Sequence, residues 1–250
     1  MIPGMWGNAE QMALLARQAN SQGFSVAALS LRHHWGVIED GGKALGQTSI
    51  HDLVEDVSGV ISSAFNQEPV IVVGHSLGGL IAQCLLDHAL VKGAVLLASA
   101  APKGTMSINP SLIPGVLKNL PWLLLGKPIT KPKNTLRLLF SGNKAAMEEV
   151  EKAGGLTTWE SGQAIKEQVF GLIEVKPSQK PVLVLVNCND RSTDPIAQEK
   201  IARWHTEPVI VGRKPLHHMF HTVDEGASWA TFYMAKWVES HKLSNTAATV

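Results

Sequence analysis

The chain has 250 residues, 45% of them hydrophobic and 17% charged, so it can bury a large core as one α/β domain or as one domain with an insertion. Its formal net charge of +1 removes any electrostatic case for nucleic acid as a partner. No apolar run is long enough to cross a bilayer and no signal peptide is recognisable, which favours a cytoplasmic location.

Met1-Ile2-Pro3-Gly4-Met5-Trp6-Gly7 reads as the end of a strand running into a glycine-rich loop, with two residues ahead of the loop. Asn8 opens a helix with Gln11 as its capping-box partner and Gly23 beyond its end. Phe24 to Ser30 is the next strand, and Leu31 to Gly46 a long loop containing Arg32, His33 and His34. A second helix starts at Ser49, with Asp52 at its third position and Leu53, Val54, Val57, Val60 and Ile61 on one face.

Val70-Ile71-Val72-Val73 is an apolar, β-branched run that stops at Gly74, and Leu80, Ile81, Cys84 and Leu85 follow at helical spacing. The turn between them, Gly74-His75-Ser76-Leu77-Gly78, is G-x-S-x-G. Its glycines leave room beside a residue held in a strained backbone conformation, so the Ser76 hydroxyl projects beyond the C-terminal edge of a sheet. The N–H of Leu77 then lies at a helix N-terminus.

Gly93 to Ser99 is a further strand. From about Ala101 to Pro177 the strand–helix rhythm breaks. Pro102, Pro110, Pro114, Pro121, Pro128 and Pro132 punctuate short apolar pieces, and helices are expected near Lys144–Lys152 and Trp159–Ile173. The alternation resumes with strand Val182–Val186, a helix from Pro195, strand Pro208–Val211 and a last helix over Gly226–Ser240, with Trp229, Phe232, Tyr233 and Trp237 on one face. His241–Val250 is polar and expected to fray. The pattern predicts an α/β fold: a mostly parallel sheet flanked by helices, built from residues 1–100 and 178–250, with 101–177 laid over it as a helical cap insertion.

A serine hydroxyl needs a base to take its proton, and the base needs an acid to orient it. In an open parallel sheet both should come from loops leaving the C-terminal ends of strands. The loop after Val182–Val186 carries Asp190 and Asp194. Asp194 precedes a proline at the first helical position and is occupied as an N-cap, so Asp190 is the expected acid. The loop after the last strand carries His217, His218 and His221 as candidate bases, and the order Ser, Asp, His suits a nucleophile elbow.

The segments Gly74-His75-Ser76-Leu77-Gly78-Gly79, Asn189-Asp190-Arg191-Ser192-Thr193-Asp194-Pro195 and His217-His218-Met219 resemble the α/β-hydrolase superfamily, in particular its serine esterase and lysophospholipase-like branches with a helical cap. The resemblance spans most of the chain and is weakest across the insertion. It implies Ser76 as nucleophile, Asp190 as acid and His218 as base, His218 being followed by the apolar residue usual in that family, with His217 where a glycine is usual. It also implies an oxyanion hole of backbone N–H groups. Pro3-Gly4-Met5-Trp6-Gly7 resembles the family's His-Gly-x loop with proline in place of histidine, so Met5 joins Leu77 as donor. The strand before this loop normally lies inside the sheet, so the fold reads as N-terminally shortened, and residues upstream of Met1 are expected.

The implied activity is cleavage of carboxylic esters, lipophilic or lysophospholipid-like, through an acyl-enzyme on Ser76, with a small-molecule ester as partner. A thioesterase or amidase, or a non-catalytic ligand-binding homologue, would carry the same residues. The apolar runs Leu112–Leu117 and Pro121–Leu125 are expected either to pack on the sheet domain or to wall an acyl site, and Lys127, Lys131 and Lys133 to form a solvated basic face. Cys84 and Cys188 stand in apolar contexts and read as reduced core residues. Without CxxC, HExxH or a phosphate-binding glycine loop, neither a cofactor nor a metal is expected. The sequence leaves the oligomeric state open.

Overall fold

Strands β1 (Val70–His75), β2 (Val91–Leu97), β5 (Val182–Asn187) and β6 (Val211–Lys214) form one parallel sheet in the order β1-β2-β5-β6. The computed structural model describes residues 1–34, 42–65, 67–105, 113–131, 137, 139–152, 156–157, 159–205, 211–214 and 216–243.

Side chains alternate along each strand, so the apolar runs feed two cores. Val72, Ala94, Leu96, Val182, Val184 and Val186 meet α3 (Ile50–Ala64), α4 (Leu77–Cys84) and α8 (Pro195–Trp204) on one face. Val73, Val95, Leu97, Leu183 and Leu185 meet α1 (Ala13–Ser21) and α9 (Asp224–Ser240) on the other. The capping box expected at Ser49 is present, and α3 buries Ile50, Leu53, Val57 and Ile61.

Several expectations need correction. The helix from Asn8 begins as a 3-10 turn over Ala9–Met12. Asn8 accepts from the Glu10 amide, and Gln11 does not return to the cap. Residues 24–30 form no ladder strand. Met1 and Ile2 occupy the place between them and β1: Leu29 N donates to Met1 O, Ile2 N donates to Val73 O, and His75 N donates to Ile2 O. A two-residue partner satisfies only a few groups of the longer segment. A short helix α2 (Lys43–Gln47) lies where a loop was expected. β1 continues through Gly74 to His75, and β2 starts and ends two residues before the expected strand. The last strand runs on past the expected Val211 to Lys214, and residues 208–210 lie outside the described residues. On α9, Trp237 is buried but Phe232 is exposed beneath Lys236, because 229, 233 and 237 share a face that 232 does not. Most of the tail expected to fray, 244–250, lies outside the described residues. Both cysteines are free. Burial pushes the Cys84 thiol up to about 11, whereas Cys188 is exposed just past β5.

Between β2 and β5 the chain contributes α5 (Ile113–Leu124), β3 (Ile129–Thr130), α6 (Lys144–Lys152), β4 (Trp159–Glu160) and α7 (Gly162–Val169). The helix expected over 159–173 is thus a short strand followed by α7, because Glu160 pairs with Ile129 in the antiparallel β3–β4 ladder and Ser161 caps the helix through the Ala164 amide. Leu123 is buried with Ile129 and Ile165, while Leu117, Leu124 and Leu125 are exposed and Trp122, also exposed, carries Lys127 over its ring. Leu112 and Lys133 lie outside the described residues. Among the described residues, no helix is long and apolar enough to cross a membrane.

Candidate active site

Ser76 sits between β1 and α4 with φ 51° and ψ −116°, a left-handed conformation that a non-glycine residue holds only where its surroundings impose it. Those surroundings need glycine on both sides. A Cβ on Gly74 would stand 2.1 Å from Gly78 O, and one on Gly78 would stand 2.3 Å from Ile2 O. The Ser76 carbonyl accepts from Gly79 and Ala100 N–H groups, and its amide donates to Leu97 O, which ties the turn to the β2 end. Leu77 is the first residue of α4, so its N–H is one of the donors that a helix start leaves without an internal acceptor.

The loop after β5 wraps its own amides around Asp190. Oδ1 accepts from Ser192 N at 2.7 Å and Thr193 N at 2.9 Å; Oδ2 accepts from Thr193 Oγ1 at 2.6 Å and His218 Nδ1 at 2.7 Å. Burial raises the Asp190 pKa, but the His218 charge and these hydrogen bonds outweigh it and hold the carboxyl below its ordinary range. Asp194 accepts from Ile196 N and caps α8, as its proline neighbour implies. The structure therefore brings Asp190, and not Asp194, to a histidine.

Of the three histidines, His218 alone meets Asp190. His217 packs on the Phe140 ring at 5.3 Å, and His221 stacks on His75 at 4.2 Å. The ring nitrogens of both have no hydrogen-bond partner among the described residues. Burial pushes His217 down to about 4 and His221 to about 3, with the His218 charge adding to both. His75 lies beside its neighbour Ser76 and links the elbow to the histidine loop. Its Nε2 donates to His218 O at 3.1 Å, and its ring lies 4.6 Å from that of His218. Asn187, at the end of β5, donates to His217 O and accepts from Leu216 N, fixing the β6 loop against the Asp190 loop.

The Pro3–Gly7 loop packs on the nucleophile: a Cβ on Gly4 would lie 2.9 Å from Ser76 Cβ. The amides flanking Met5 are both taken by side chains. Gly4 N donates to Gln11 Oε1 at 3.0 Å, and Trp6 N donates to Glu160 Oε2 at 2.7 Å. Gln11 is thus drawn from the expected capping box to this loop. Glu160 is fully buried, and its Oε1 accepts from His34 Nε2 at 3.0 Å and Ser161 N at 2.7 Å. Burial raises the Glu160 pKa and lowers that of His34. Their mutual attraction and hydrogen bonds outweigh it, so Glu160 lies below its ordinary value and His34 above. Arg32 pairs with Asp56 of α3 as part of the loop network. Glu160 carries no motif and no spacing points to it; Gln11 reads in sequence only as a helix cap partner, and Thr193 only as one residue of the Asp190 segment. Among the described residues, no cluster of His, Cys, Asp and Glu could hold a metal ion.

The fold is shared with solved structures. Among solved structures, a monoacylglycerol lipase of Paleococcus ferrophilus is 21% identical with a TM-score of 0.71, covering 96% of this chain and 93% of its own. A pyrethroid hydrolase of Sphingobium faniae JZ-2 is 18% identical with a TM-score of 0.71, covering 97% of each chain. An extracellular alpha/beta-hydrolase of a Paenibacillus species is 18% identical with a TM-score of 0.64, covering 94% of this chain and 96% of its own. No curated protein sequence matches the chain. The profile of the alpha/beta hydrolase family matches residues 1–228, and the chain belongs to that family.

Proposed function

We propose that the protein is a serine hydrolase that cleaves carboxylic esters of small molecules through an acyl-enzyme on Ser76, with residues 101–177 as a helical cap over the site. The observation that carries this reading is the buried Asp190–His218 hydrogen bond at 2.7 Å, on a loop held through His218 O by His75, the residue before a serine at φ 51°. With Nδ1–H given to Asp190, the imidazole keeps Nε2 as the base for the Ser76 proton, and Asp190 stabilises the imidazolium that forms. Ser76 Oγ then bonds to the acyl carbon. The carbonyl oxygen gains negative charge toward the N–H groups of Leu77 and Met5, and His218 returns the proton to the leaving alcohol. Water activated by His218 releases the acid. Leu123, Ile129 and Ile165 pack against Met5 and Trp6, so the insertion holds the oxyanion loop from its apolar side.

A fluorophosphonate probe tests the nucleophile. Labelling is expected on Ser76 and lost in Ser76→Ala; a folded protein that resists the probe would sink the hydrolase reading and favour a ligand-binding role. Rates on p-nitrophenyl acetate, butyrate and octanoate test the acyl preference, and a strong preference for acetate counts against a long apolar chain.

A further inference from the structure

Trp6 has φ 54°, a left-handed backbone that a bulky residue does not adopt unaided. Both of its main-chain groups are tied to one short stretch of the insertion. Its N–H donates to Glu160 Oε2 at 2.7 Å, its C=O accepts from Thr157 N at 2.6 Å, and Gly7 pairs antiparallel with Leu156. The loop that carries the Met5 amide is therefore shaped by a segment about 150 residues away in sequence.

The carboxylate at the centre is built in with care for its charge. His34 is buried, and each of its ring nitrogens faces an oxygen: Nε2 faces Glu160 Oε1 at 3.0 Å, and Nδ1 faces Arg32 O at 2.8 Å. Two acceptors around one imidazole require two N–H donors, which is the imidazolium form. The pair is thus an ion pair, and Arg32 anchors its far end to Asp56 on α3. A buried charge persists only when it is paired and hydrogen-bonded, and all three amide and imidazole donors here converge on one carboxylate.

We propose that Glu160, kept ionised by His34, is a positioning residue for the oxyanion hole: it fixes the Trp6 amide and so aims the Met5 N–H at the oxyanion. This rests on the reading of Ser76 as an esterase nucleophile. The role is distinct from simple support of the fold, because the Met5 amide matters most where negative charge develops. Its loss lowers kcat and leaves substrate binding nearly intact.

The test compares wild type with Glu160→Gln and Glu160→Asp on p-nitrophenyl butyrate, each variant checked for folding by circular dichroism. Glu160→Gln keeps the shape but turns one acceptor into a donor. It is expected to lower kcat by about 10²-fold, the effect of losing one oxyanion donor, with KM within about threefold. Glu160→Asp keeps the charge but withdraws the carboxylate from Trp6, and is expected to lose about tenfold in kcat. The Ki of an alkyl trifluoromethyl ketone, whose adduct places a charged oxygen in the hole, should rise in step with the loss in kcat/KM. The Ki of the corresponding secondary alcohol should not. A folded variant with unchanged kcat, or equal shifts for ketone and alcohol, overturns the proposal while leaving the esterase reading intact. If both variants fail to fold, Glu160 serves folding and not positioning, and the proposal falls. If wild type neither hydrolyses the ester nor takes a fluorophosphonate on Ser76, the esterase reading falls and this one with it.

Discussion

Lowering the pH from about 7.5 to about 5.5 perturbs four imidazoles that the fold keeps neutral. His205 and His217 are pushed by burial to about 4 and His221 to about 3; His75 lies well below its ordinary value, from burial and then from the neighbouring His221 and His218 charges. An unfolded imidazole titrates near 6.5, so between there and the folded values only the unfolded chain binds these protons, and stability rises with pH across that window. By pH 5.5 His205, His217 and His221 each cost roughly 1–2 kcal/mol and His75 adds in the same direction, a sum comparable to the lower end of a domain's total of roughly 5–15 kcal/mol. His34 opposes this slope above about 6.5, and the two lowered carboxylates act only near and below about pH 4. His34 is raised, so its contribution is full below about 6.5 and is lost as the pH rises through its folded value. Glu160 and Asp190 are lowered, so theirs is present above about 4 and lost only as the pH falls further. Urea unfolding followed by tryptophan fluorescence at pH 5.5, 6.5 and 7.5 measures the slope. His205 lies outside the site, held by Ser178 N and Gln83 Oε1, so His205→Gln should flatten the slope by about a quarter. Stability that is flat or rising from pH 7.5 to 5.5, or a slope that His205→Gln leaves unchanged, refutes the reasoning.

Ser76→Ala and His218→Ala are each expected to lower kcat on p-nitrophenyl esters by several orders of magnitude, and Asp190→Asn by somewhat less, read by single-turnover kinetics. In Gly78→Ala the new Cβ would meet Ile2 O at 2.3 Å and Pro3 O at 2.5 Å, both backbone. It should cost about 1–3 kcal/mol in urea unfolding and displace the Met5 loop, so kcat falls as well. Thr193→Val removes the hydroxyl that donates to Asp190 Oδ2 at 2.6 Å; a stability loss of roughly 1.5–3 kcal/mol is expected, with a smaller loss of kcat than in Asp190→Asn. Ser49→Ala breaks the capping box of α3 and should lower Tm by about 2–4 °C, read by thermal unfolding.

Features that depend on neighbours in the chain were legible in the sequence. The Ser49–Asp52 box, the glycine-flanked Ser76 turn and the Asp194 cap before Pro195 each involve residues within a few positions, where backbone geometry alone dictates the partner. The parallel sheet follows from continuous apolar runs, buried on both faces, alternating with helical spacing. The ends of those strands do not, because β2 stops where its pairing with β1 and β5 stops. Residue type and spacing left three imidazoles within five positions open, and resemblance alone pointed to His218; the path of the loop after β6 is what turns it toward Asp190. Tertiary structure likewise decides the partners of Gln11, Glu160 and His34. A buried carboxylate reads in sequence like any surface glutamate; its meaning lies in the Trp6 amide and the imidazole that folding delivers to it, 154 and 126 residues away.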